Sequence, residues 1–332
     1  MQPKRFSGCL IGQCLGDALG YPVEGASGAA CSEYVVKLLY PWASKERTID
    51  RHWKGQYTDD SQLARELMRS LIESEGWSPD DYADRVLELF QSNRIVGRGI
   101  ASDNAARRLS WGAGWEEAGE LPPSAGNGTA MRAAPVGLFF YQRIPTMIQV
   151  AHEQGWITHH DPRCSAGSIA IAGAVTLAIR DELSDIAEAT RQLADWMRPF
   201  SQEFADLVGL LPEWIDLDPA DALAVIGPAG RADDFAEVWP GISPFVVPSV
   251  LWSLYSFLKH SESYVDAVAT AIAVGGDVDT TAAMTGAISG AYLGLDAIPG
   301  HLARRVQDQG TWEYAALVKL AESCCDVAEA SI

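Results

Sequence analysis

Tyr57-Thr-Asp-Asp-Ser-Gln-Leu-Ala-Arg-Glu-Leu-Met-Arg-Ser-Leu-Ile72 is the stretch on which the fold class turns. Leu63, Leu67, Leu71 and Ile72 recur at helical spacing and share one face. Just ahead of that face stand Thr58, Asp59 and Asp60, residue types that cap a helix and complement its dipole. The stretch therefore predicts an amphipathic helix beginning near Leu63 with two carboxylates at its N-terminus. The same period returns at Val86, Leu87 and Phe90, and again at Val250, Leu251, Leu254 and Phe257, while alternating strand-like runs are scarce. An all-α fold follows. Turn-rich segments such as Leu121-Pro-Pro-Ser-Ala-Gly-Asn-Gly128 and Val225-Ile-Gly-Pro-Ala-Gly230 are too short and too apolar for interdomain linkers, so residues 1–332 are expected to form a single domain.

Bulk properties narrow the function. With 44 Asp plus Glu against 25 Lys plus Arg, the formal net charge is −19, and the average surface repels nucleic acid and anionic lipid. An anionic ligand would need cations, backbone N–H groups or a few arginines to overcome that field locally. Cys9, Cys14, Cys31, Cys164, Cys324 and Cys325 have no zinc-type paired spacing and no disulfide framework, which fits reduced thiols and a cytoplasmic location. Gln13 and Asp17 interrupt the apolar run from Phe6 to Gly12, arguing against a signal peptide. The apolar stretch Ala166–Ile179 falls short of the roughly 18 residues a membrane span requires. No membrane partner is expected, and a monomer is the default expectation.

Glycine recurs every fourth residue in two places, at Gly8, Gly12, Gly16 and Gly20 and at Gly286, Gly290 and Gly294. Each set lies on one helix face, where glycine costs about 1 kcal/mol relative to alanine and therefore needs a packing reason. The two faces are expected to pack against each other and bring the chemistry of the two chain ends together.

That chemistry is carried by oxygen ligands. Gly275-Gly-Asp-Val-Asp-Thr-Thr281 places Asp277 and Asp279 at i and i+2 of an expected extended stretch, on the same side of the backbone, ahead of a small-residue helix from Thr281. Two like charges on one side repel, and a divalent cation relieves that repulsion. With Thr280, these hard oxygens suit magnesium, calcium or manganese; zinc lacks clustered Cys or His ligands. Asp59 and Asp60 serve equally as helix-start residues or as a second half of such a site, far away along the chain. The Gly126-Asn127-Gly128 turn is either an ordinary turn or a source of N–H donors for phosphate, and it is neither a P-loop nor a dinucleotide fingerprint. His159 and His160 lack the spacing of helical zinc motifs. Asp103, after the Gly97-Arg-Gly99 turn, either caps a helix or meets a guanidinium.

Taken in order, Gly16-Asp-Ala-Leu-Gly20 with Glu24, Tyr57-Thr-Asp-Asp-Ser61, Gly126-Asn-Gly-Thr-Ala-Met-Arg132, Thr158-His159 and Gly275-Gly-Asp-Val-Asp-Thr280 resemble the ADP-ribosylglycohydrolase family. The resemblance spans roughly Phe6 to Gly294. It implies a compact orthogonal helical bundle and a site with two Mg2+ ions, for which Mn2+ is a possible substitute. By position, Thr58, Asp59 and Asp60 supply one side of that site and Asp277, Asp279 and Thr280 the other. Gly126, Asn127, Gly128, Thr129, Met131 and His159 are implied along the ribose and diphosphate, with Glu24 and Asp60 as catalytic groups; Asp103 stands apart from the resemblance as a candidate contact to the acceptor. The implied substrate is an ADP-ribosylated protein or ADP-ribosyl small molecule, with an arginine side chain as the first choice of acceptor. O-linked ADP-ribose and a non-catalytic ADP-ribose binder are the alternatives. Val278 departs from the family's small or hydroxylated residue, and Glu203 to Pro244 matches nothing specific.

Overall fold

Period and caps become helices in the computed structural model, which describes residues 2–231 and 239–331. The helices that frame the site are α1 (Gln2–Gly20), α2 (Asp59–Glu73), α3 (Ile100–Ser110), α4 (Pro162–Ile179), α5 (Val246–Lys259), α6 (Val278–Leu293) and α7 (Tyr314–Ala330). Among the described residues there is no β-strand, only isolated bridges between loops. The all-α expectation holds. Helix α2 starts earlier than its apolar period suggests, at Asp59 with Thr58 as N-cap, because the polar first turn is held by buried partners and not by solvent.

Helices α1 and α6 run antiparallel at the centre with their glycine faces together. A Cβ built on Gly8 would lie 2.3 Å from the Gly290 carbonyl oxygen, one on Gly12 2.2 Å from that of Gly286, and one on Gly16 2.1 Å from that of Ala282. Backbone meets backbone along the whole seam, a distance only side-chain-free faces allow. The expected convergence of the chain ends is thus produced by the glycine spacing.

Helix α4 also starts earlier than its apolar run, at Pro162, because Asp161 accepts the Arg163 N–H at 3.0 Å as N-cap and Pro162 fits the first helical position. Its 18 residues are by length and composition apolar enough to cross a bilayer. They are 89% buried, with α5, α6 and the flanking helices Ile144–Trp156 and Ile186–Met197 packed around them. Protein, not lipid, covers this helix.

Candidate active site

The N-terminus of α2 is fixed from α1. Asp17 accepts the Thr58 N–H at 2.9 Å on Oδ1, and its Oδ2 accepts the Ser61 N–H at 3.2 Å and the Ser61 hydroxyl at 2.6 Å. Thr58 Oγ1 then donates to Asp60 Oδ2 at 2.8 Å, orienting that carboxylate. Asp59 donates its N–H to Val96 O at 2.7 Å, and Gln62 holds the same loop by donating to Arg94 O and accepting from the Val96 N–H, each at 2.9 Å. The loop lies so close that a Cβ at Gly97, whose φ is +73°, would sit 2.8 Å from Asp59 Oδ1.

The N-terminus of α6 is fixed from three other segments. Gly275 and Gly276, at φ +81° and +92°, turn the chain abruptly, and Asp277 donates its N–H to Ile242 O at 2.8 Å. Asn127 Nδ2 donates to Asp277 Oδ2 at 2.6 Å and to Ser249 Oγ at 2.9 Å. Asp277 is the N-cap of α6 and Asp279 lies in its first turn, so the extended i, i+2 arrangement expected from sequence is not what forms. The glycine pair starts the helix at once, and a helical turn converges the two carboxylates. Thr280 lies in the same turn, and its N–H donates to Asp279 Oδ1 at 3.0 Å.

Carboxylate oxygens of Asp17, Asp60 and Asp279 all lie within 4.8 Å of one another, as do those of Glu24, Asp277 and Asp279. Asp279 belongs to both groups. Both Asp17 oxygens already accept protein hydrogen bonds, so Asp17 acts as a buttress behind the group. Asp60 Oδ1, in contrast, is buried without a hydrogen-bond partner among the described residues. Burial pushes the carboxyls of Asp59, Asp60 and Asp279 well above the usual carboxylate range, and neighbouring carboxylates add to it, Asp17 at Asp59 and Asp60, and Asp60 at Asp279. The positive ends of α2 and α6 offset part of that repulsion. A hard divalent cation would relieve the rest and satisfy the orphaned oxygen, so these residues fit such an ion.

A cavity of about 770 Å³ opens onto this cluster. Glu24, Asp59, Asp60, Asp277, Asp279 and Thr280 line it, and Gly126, Asn127, Gly128, Met131 and His159 form an adjoining part of its wall. Thr58, Thr129 and Asp103 are not among its lining residues. Thr129 is buried and donates to Cys164 O at 2.8 Å, and Asp103 accepts from Arg98 at 2.8 Å and Arg107 at 2.9 Å. The Asn127 N–H is spent on Pro244 O at 2.9 Å and is not offered to a ligand. His160 stacks on Trp156, ring centroids 4.4 Å apart.

Sequence reasoning gave Asp17 no role in the site, quoting it as an interruption of an apolar run and within the Gly16–Gly20 motif, although an acid inside a glycine-faced helix was the available signal. It also missed Arg163, Arg231, Trp239 and Phe245, which line the cavity. Arg163 stacks its guanidinium 5.1 Å over the Phe245 ring. No local motif marks these four, and Arg231 and Trp239 fall in the stretch that matched nothing specific.

The sequence pattern of the ADP-ribosylglycohydrolase family matches residues 2–331. The chain belongs to the ADP-ribosylglycohydrolase family. Its activity class is accordingly that of a glycosidase acting on ADP-ribose. This glycohydrolase is 30% identical over 319 residues to ADP-ribosylhydrolase ARH3 of Xenopus tropicalis, with 89% of each chain covered. It is 29% identical over 326 residues to ADP-ribosylhydrolase ARH3 of Homo sapiens, covering 89% of this chain and 87% of that one. A solved structure, the ADP-ribosylglycohydrolase-related protein complex, superimposes with a TM-score of 0.69 at 25% identity, covering 98% of the glycohydrolase and 99% of that chain. The helical family fold implied by the ordered motifs is therefore the fold observed.

Proposed function

We propose that the protein uses two magnesium ions to hydrolyse the glycosidic bond between ADP-ribose and its acceptor. One observation carries the reading: Asp60 and Asp279, remote along the chain, meet around a buried oxygen that has no partner among the described residues, at the edge of a ligand-sized cavity. Manganese has the same preference for oxygen ligands and is the expected substitute. Arg163, Arg231, Phe245 and Trp239 suit a diphosphate and a purine ring, and give an acidic protein the local cationic surface that an anionic nucleotide requires.

Cations held by Asp60 and Asp279 would supply positive charge beside the sugar. The chain's own residues do the rest. Asp60 and Asp279 would hold the cation site, Asn127 fixes Asp277, and the wall of Gly126, Asn127, Gly128 and Met131 positions the sugar. Glu24 lines the cavity, and partial desolvation, helped by Asp277, raises its carboxyl above the ordinary value, the direction that suits a base. Glu24 takes a proton from water as the water oxygen bonds to the anomeric carbon. The bond from that carbon to the acceptor breaks, its electron pair leaves with the acceptor atom, and the proton passes to that atom.

An arginine side chain is the acceptor expected from sequence. One observation favours a second reading, an O-linked acceptor such as serine. Asp103, the candidate from sequence for meeting a departing guanidinium, is already paired with Arg98 and Arg107 and is not among the lining residues. A hydroxyl leaving group needs no such carboxylate. Released ADP-ribose, measured with defined arginine- and serine-linked substrates, with magnesium and with excess EDTA, tests both points. Release from one substrate names the acceptor, undiminished release in EDTA removes the metal role, and release from neither defeats the reading.

A further inference from the structure

His159 is the imidazole on the cavity wall, and its hydrogen-bonding sense is dictated by residues behind it. Arg132 is completely buried, with Nε donating to Gln154 Oε1 and Nη2 donating to Gln154 O and to Thr158 Oγ1, all at 2.8 Å. A guanidinium only donates, so Thr158 Oγ1 is an acceptor toward Arg132. The hydroxyl proton must go elsewhere. Two acceptors are in reach, His159 Nδ1 at 2.8 Å and Gly155 O at 3.4 Å. Gly155 O is already taken by the N–H groups of Thr158 and His159, each at 3.0 Å, which leaves Nδ1 as the better acceptor by distance and by vacancy.

If Nδ1 accepts, the single proton of a neutral ring sits on Nε2. Burial, and after it the Arg132 charge, push the His159 pKa down to about 3, so the ring is neutral at physiological pH. Its tip rests against the glycine turn: a Cβ on Gly126 would lie 3.2 Å from Nε2 and one on Gly128 3.1 Å from Cε1. Among the described residues no protein group is hydrogen-bonded to Nε2.

We infer that Arg132 and Thr158 are positioning residues that lock His159 as the Nε2–H tautomer, making it an uncharged donor to an oxygen of the bound ADP-ribosyl group. The ligand named here rests on the proposed function; the tautomer does not. An uncharged donor suits this place, because a second positive ring beside Arg132 would add a buried like-charge repulsion. It also gives Gly126 and Gly128 a reason independent of phosphate binding, namely room for the ring.

Nitrogen NMR of isotope-labelled histidine side chains tests this directly, with the His159 signals identified by their loss in His159→Gln. The expected spectrum at neutral pH shows Nε2 protonated and Nδ1 bare, and the Nε2–H signal moves when ADP-ribose and magnesium are added. Thr158→Val should populate the other tautomer and weaken ADP-ribose binding roughly tenfold, the worth of one hydrogen bond to a charged group. Thr158→Ser should restore both. A bare Nε2 or an imidazolium in the wild-type protein overturns the inference, as does Thr158→Val with the Nε2–H form intact. The wild-type spectrum decides even if the valine variant fails to fold. An Nε2–H ring that ignores ADP-ribose upholds the lock and counts against the nucleotide reading instead.

Discussion

Gly12 and Gly286 face each other so closely that a Cβ on either would lie 2.2 Å from the carbonyl oxygen of the other. The atoms in the way are backbone, which cannot rotate aside. Asp17 stands five residues from Gly12 and Asp279 seven from Gly286, so the same seam sets the separation of the carboxylates.

Gly12→Ala should therefore destabilise the protein by about 1–3 kcal/mol, as overpacking does, although alanine is the better helix former by about 1 kcal/mol. Gly209→Ala, at the end of a helix with none of the described residues within 4 Å of the new methyl, is the matched control and should be neutral or slightly stabilising. Thermal unfolding of the two variants checks this. Equal melting temperatures would show that the seam tolerates separation. Weaker magnesium binding by Gly12→Ala is expected as well, because the seam positions Asp17 and Asp279.

Magnesium should raise the melting temperature more in mildly alkaline than in acidic buffer. Burial, eased by hydrogen bonds from Ser61 and Thr58, leaves Asp17 raised to about 7, and Asp59, Asp60 and Asp279 are raised as well. A raised folded-state pKa means the cation-free folded chain holds more protons than the unfolded chain between the ordinary carboxylate value of about 4 and neutrality, so its stability falls as pH rises through that window. Cation binding to the deprotonated cluster recovers that loss, and it does so only where the cluster has lost its protons. The depressed His159 pKa acts in the opposite sense but equally with and without the ion, and so cancels from the increment. Asp60→Ala and Asp279→Ala should abolish both the increment and turnover. An increment independent of pH would contradict this picture.

Asp17→Asn should weaken magnesium binding by roughly 10–100-fold, the usual cost of losing an outer-shell partner. The amide keeps one acceptor oxygen for Thr58 or Ser61 but brings an N–H where the carboxylate now accepts from both. Titration calorimetry with the metal alone measures the effect. Unchanged affinity would reduce Asp17 to a helix anchor.

Glu24→Gln should slow turnover by about 10²–10⁴-fold while ADP-ribose still binds, because a general base contributes to the transition state and little to the ground state. Steady-state kinetics beside a direct binding measurement separate the two. Loss of binding with kcat intact would move Glu24 from proton transfer to ligand contact.

Most of the acidic residues that converge were legible because each chemical feature is local. Gly275-Gly276 ahead of two acids and Thr58 ahead of two more are patterns of a few residues, and the glycine period of α1 and α6 is a property of each helix alone. The sequence misled where a local pattern has two geometries: Asp277 and Asp279 meet through a helical turn, not an extended one, because the positive-φ glycines begin α6 immediately.

The polypeptide alone determined that the protein is helical, that two glycine faces need a close partner and that its acids suit a hard cation, since periodicity, backbone clearance and ligand type are written residue by residue. Only the tertiary structure decided that Asp17 braces Thr58, that Arg132 donates to Thr158 behind the cavity wall, and that Arg163 stacks on Phe245. Those are contacts between segments remote in the chain, made by single side chains whose identity carries no spacing signal until packing brings them within a few ångströms.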